Sequence, residues 1–123
     1  LNNMDNSNDT YYIIYLSYEI FSDVLNCPDE DISNARNILY DRLSTSIPRD
    51  KYDIFNSSIV TYQLPDNYNY LVTYSSYIRS VEGLPMEEYV AARDIRDTVK
   101  RELEDFFESI NCEYKSLNIK ALV

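Results

Sequence analysis

The sequence predicts an α+β fold of ferredoxin-like type, β-α-β-β-α-β, a four-stranded antiparallel sheet with two helices on one face. Three observations lead there. Strand-forming residues gather in four runs bounded by turn signals, and two further stretches repeat apolar residues at helical spacing. The two patterns interleave along 123 residues, a length that supplies one sizeable core and is short for two.

Residues 1–10 are polar, carry no buried-face pattern and read as a flexible N-terminal tail, so the single domain is expected over 11–123. Tyr11 to Phe21 is β-branched and aromatic throughout and reads as the first strand, central in its sheet. Cys27-Pro28-Asp29-Glu30-Asp31 then places Pro in a first helical turn with acids behind it, which suits unpaired N–H groups and the positive end of a helix dipole. From there Ile32, Ala35, Leu39, Leu43 and Ile47 mark one apolar face, Asn34, Asp41 and Arg42 the wet side, and Pro48 the stop.

Ser57 to Leu64 reads as a strand, Pro65-Asp66-Asn67 as a tight turn, and Tyr68 to Arg79 as the antiparallel return. After a break at Gly83-Leu84-Pro85, a long amphipathic helix is expected from about Met86 to Ile110. Ala92, Ile95, Val99, Leu103, Phe106 and Ile110 form its stripe, and Arg93, Asp97, Arg101 and Asp105 stand four apart outside. Its length exceeds that of the strands, so its first turns should overhang or kink near Glu88. Cys112 to Val123 closes the chain as a strand with Leu117, Ile119 and Ala121 inward.

Right-handed crossovers set the expected strand order at 4-1-3-2 and leave one sheet face without helices. That face draws attention because both central strands are apolar on both sides. The first carries Tyr12, Ile14, Leu16, Tyr18 and Ile20 on one side and Tyr11, Ile13 and Tyr15 on the other. The third carries Tyr70, Val72 and Tyr74 opposite Leu71, Thr73 and Tyr77. A face of this kind needs a cover. We therefore expect Tyr11, Ile13, Tyr15, Tyr70, Val72 and Tyr74 to form an interface, with a second copy as the leading occupant and a homodimeric assembly module as the function. A partner protein, or the polar tail folding back, is the alternative cover.

Charge narrows the partners. Lys plus Arg number 11 against 21 Asp plus Glu, and the formal charge of -10 repels phosphate backbones and anionic lipid. Direct nucleic-acid binding is not expected. The same charge suits a basic protein partner, so the second function class is a small acidic inhibitor, of the viral counter-defence kind, seated in the basic groove of a nucleic-acid-handling protein. No run is long and apolar enough for a membrane span, and the Asn-rich start is unlike a secretory leader, which together give the expectation of a cytoplasmic location, or host cytoplasm for a viral chain.

Chemistry is sparsely represented. There is no His, and Gly83 is the single glycine, so neither an imidazole catalyst nor a glycine-built phosphate loop is expected. No cofactor and no metal are expected. An enzyme acting on a small ligand remains a third class, though no motif carries it. Asp23, Asp29, Glu30 and Asp31 gather at one end without the spacing of a calcium loop, and helix capping accounts for them. Cys27 and Cys112 fall at neighbouring strand ends, where they are a candidate disulfide or two buried thiols. Asn8-Asp9-Thr10 and Asn56-Ser57-Ser58 match the glycosylation pattern, a rule so loose that an Asn-rich chain meets it by accident.

Overall fold

The computed structural model describes residues 11–21, 37, 39, 41–48, 50–66, 69–81 and 85–122. Strands β1 (Tyr12–Phe21), β2 (Tyr52–Gln63), β3 (Tyr70–Ser80) and β4 (Glu113–Leu122) build one sheet in the order β2-β3-β1-β4. All three neighbouring pairs are antiparallel, and the order, read from the other edge, is the expected 4-1-3-2. Residues 37, 39 and 41–46 are helical and are called α1; the long helix α2 is Pro85–Ser109. The expected tail, the Cys27–Asp31 helix start and the Gly83-Leu84 break lie outside the described residues.

One face of the sheet and two helix stripes make the core. Tyr12, Ile14, Leu16, Tyr18 and Ile20 from β1 meet Val72, Tyr74 and Ile78 from β3, all of them buried. Over them lie Leu39 and Leu43 of α1, Ile47 just past its end, and Ala92, Ile95, Val99, Leu103 and Phe106 of α2, as their spacing predicts. Each such burial is worth about 1.5–3 kcal/mol by area removed from water. Phe107 is fully buried too, although it stands beside the stripe; it meets Tyr18 edge to face at 5.3 Å. Arg42, expected on the wet side, reaches Glu102 at 3.5 Å and so ties α1 to α2.

The end of α2 follows from one residue. Asn111 takes the left-handed conformation, φ 58°, which lets its N–H reach the Glu108 carbonyl at 3.1 Å while the Cys112 N–H reaches Phe107 at 2.9 Å. This paired bonding closes a helix, and Asn substitutes here for the usual glycine. It turns the chain directly into β4. The helix itself runs uninterrupted from Pro85, with no break at Glu88.

Two irregularities separate the strands from their expected form. β2 starts five residues before Ser57 because Asn56, φ 53°, sits in a bulge: Phe55 pairs with Tyr77 and Ser58 with Ser75, three steps against two. The inward positions therefore change parity, from Tyr52 and Ile54 to Ile59 and Thr61, and a two-residue alternation search loses the strand. In β4 the register shifts opposite Ser17/Tyr18. Leu117, expected inward, is 44% exposed at that shift, whereas Ile119 and Ala121 pack against the core.

Candidate functional site

The register of β1 against β3 decides what the face opposite the described helices contains. Tyr70 pairs with Ile20, Val72 with Tyr18 and Tyr74 with Leu16, so these three point to the helices. Val72 and Tyr74 are 1% and 2% exposed and belong to the core. This corrects half of the expected interface. Residues paired across strands share a face, and an antiparallel register set at Tyr15↔Ser75 places the odd-numbered residues of β3 beside Tyr11, Ile13 and Tyr15. The alternation had identified two apolar sides of β3 without telling which side joined which.

In place of the three excluded residues the open face gains Phe55 and Tyr77. Tyr11 stacks on Tyr77 with centroids 5.1 Å apart and planes 10° apart, and Phe55 stands edge-on to both, 6.3 Å from Tyr11 and 5.5 Å from Tyr77. The Arg79 guanidinium lies 5.4 Å from the Phe55 centroid and 3.4 Å from the Asp53 carboxylate. Ile13 and Tyr15 continue the patch along β1, and Leu122, paired with Ile13 and 48% exposed, extends it on β4. At the far end Val60 and Tyr62 of β2, each 58% exposed, flank Leu71. Thr73, Ser75 and Ser58 separate the two apolar areas.

Electrostatically this face differs from the chain as a whole. Its paired strand positions carry three basic side chains, Arg79, Lys115 and Lys120, and three acidic ones, Asp53, Glu19 and Glu113, so its charge is balanced on a chain whose total is -10. Glu19 accepts a 2.7 Å hydrogen bond from the Asn69 amide, and Asn118 donates to Ser17 at 3.2 Å. These bonds hold the β1 and β4 side of the face beside the Leu71 end.

A second polar group lies on the other side of the sheet. The Tyr18 and Tyr114 hydroxyls donate to the two oxygens of Glu104 at 3.1 and 3.2 Å, Lys100 pairs with Glu104 at 3.1 Å, and Tyr114 also reaches Glu108 at 3.3 Å. Burial, and then the Glu104 charge, push the Tyr18 phenol far above its ordinary value; the same causes push Tyr114 up to about 12. Both phenols therefore stay protonated as donors that fix one carboxylate. The arrangement joins α2 to β1 and β4.

The acids Asp23, Asp29, Glu30 and Asp31 lie outside the described residues, and among the described residues no group of three potential metal ligands occurs. Cys112 is disulfide-bonded; the chain's other cysteine, Cys27, is outside the described residues. Among the described residues no helix is long and apolar enough to cross a membrane.

No family model matches the chain, and no curated protein matches it. Among solved structures, 93% of the chain superposes on a "putative aminohydrolase" from methicillin-resistant Staphylococcus aureus with TM-score 0.56 at 9% identity, covering 29% of that protein. A "putative amidohydrolase/peptidase" from Burkholderia cenocepacia is matched over 98% of the chain with TM-score 0.51 at 6% identity, covering 32% of that protein. The chain thus spans about a third of the length of these proteins. At such identities the likeness is one of fold.

Proposed function

We propose that this domain is a non-enzymatic assembly module that forms a homodimer through the sheet face that carries no described helix. The observation that carries the proposal is the Tyr11–Phe55–Tyr77 cluster lying on the charge-balanced face of a chain with charge -10. Two acidic copies repel wherever their net charge is presented, and a face with equal numbers of both signs lets them meet. Four strands at about 4.8 Å spacing and about 10 residues at about 3.3 Å give a face on the order of 600 Å². Two copies then bury on the order of 1,200 Å², the lower edge of stable interfaces. The recurrence of this fold as about a third of larger chains fits an accessory module.

The acidic-inhibitor alternative rests on net charge and on the acids of the helices, and α2 intersperses Arg93, Arg96, Lys100 and Arg101 among its acids. As to place, a disulfide at Cys112 favours an oxidising compartment over the expected cytoplasm, where thiols are kept reduced.

Light scattering of the eluting full chain tests the assembly. Wild type should run as a dimer, and Tyr77→Asp and Tyr15→Asp as monomers with unchanged circular dichroism. A wild-type chain that stays monomeric at about 100 µM overturns the proposal.

A further inference from the structure

On the helix side of the sheet, between α1 and the bulge of β2, lies a cavity of about 410 Å³. Leu39 and Leu43 from α1 and Ile54 and Ile59 from β2 give it apolar walls. Its polar lining includes Asn56 and Ser57 of the bulge and Tyr74 of β3, and exposed Asn37 and Asn56 stand where it meets solvent. The bulge makes the space: the extra residue carries β2 away from an even ladder just where α1 crosses it.

The second observation is chemical. Tyr74 is 2% exposed, and its hydroxyl has no hydrogen-bond partner of proper geometry among the described residues. Burial pushes this phenol upward, while the nearby Ser76 and Ser57 hydroxyls act against that shift, so other hydroxyls are close without closing a bond of proper geometry. A buried hydroxyl left unmet is costly, and native chains keep such groups where something else supplies the partner. The Ser76 hydroxyl, on the same side of β3, is fully buried and equally unmet.

We propose that this cavity binds a small uncharged molecule with a ring or branched apolar body and one hydroxyl or carbonyl group that bonds to Tyr74. The volume lies within the usual range for small-molecule sites. None of its described lining residues carries a formal charge at neutral pH, so among them an ionised ligand would find no counter-charge. The apolar walls accept the body and the phenol at the end orients the polar group. This site opens on the helix side of the sheet, and Phe55 and Ser58 of the bulge border both it and the proposed dimer face.

Titration of the 123-residue chain with benzyl alcohol, toluene and benzoate, followed by amide NMR, tests the assignment. Benzyl alcohol should shift Leu43, Ile54, Ser57, Ser58 and Ile59 and leave Ile13, Thr73 and Lys120 unmoved, with benzoate at least about tenfold weaker. Tyr74→Phe keeps the ring and removes the unmet hydroxyl, so it should fold. It should weaken benzyl alcohol by about fivefold while changing toluene by less than about twofold. Ser57→Leu, which fills the space, should abolish both. The proposal is overturned by no shifts with either neutral probe, by shifts centred on the open face, or by equal loss of both probes in Tyr74→Phe.

Discussion

Leu16 and Tyr15 are neighbours on β1, yet the first is fully buried under two helices and the second lies on the face without them. Both faces of this strand are apolar, so composition does not separate them. The difference is in what crosses over: α1 and α2 both attach on the side of the even-numbered residues, and among the described residues the packed jigsaw is on that side. The other side has an island of three rings, a guanidinium and a polar middle. A core and an interface can thus be written in the same alphabet on the two sides of one strand.

That contrast can be broken by substitution. Leu16→Ala should cost about 3–5 kcal/mol in urea unfolding, whereas Ile13→Ala, three residues away on the other face, should cost under about 1.5 kcal/mol when measured on the monomer. Equal costs would erase the distinction between the faces. Next in size, reduction of the Cys112 disulfide, or Cys112→Ser, should lower stability by about 2–4 kcal/mol and leave the open-face cluster in place. Unchanged unfolding in reductant would mean that the bond adds nothing to the core side.

Alkaline pH acts on the core side too. The folded chain holds Tyr18 and Tyr114 above the ordinary phenol value near 10, so their contribution is fully present below that pH and is lost as pH rises through the folded values, about 12 for Tyr114 and higher for Tyr18. Stability should fall from pH 10 upward, and Tyr18→Phe, costing about 1 kcal/mol at neutral pH, should flatten the fall. Smallest of all, Arg79→Ala breaks an exposed pair and a ring contact and should change monomer stability by under about 0.5 kcal/mol.

Much of this architecture is legible in the residues alone. The stripes of both helices, the β1 alternation and the strand order follow from periodicity and handed crossovers, since one hydrophobic face per element leaves few ways to assemble. Register is where that logic stops. Tyr70, Val72 and Tyr74 alternate as cleanly as Leu71, Thr73 and Tyr77, and only pairing with Tyr15 tells which set faces Tyr11. Phe55 was hidden because the bulge at Asn56 interrupts its strand's period, and the cavity beneath it depends on the distance between α1 and β2, which no alternation encodes. Leu117 shows the same limit at the other edge.

The extra residue at Asn56 carries a last consequence. Phe55 and Ser58 both look outward and Ile59 looks inward. Excising Asn56 would restore strict alternation with every one of those directions preserved. The strand should then knit evenly against β3 and keep its core contacts, while the hollow beneath it closes. A chain that tolerates this shortening with ordinary stability would mark the bulge as a feature kept for capacity, with folding indifferent to its presence.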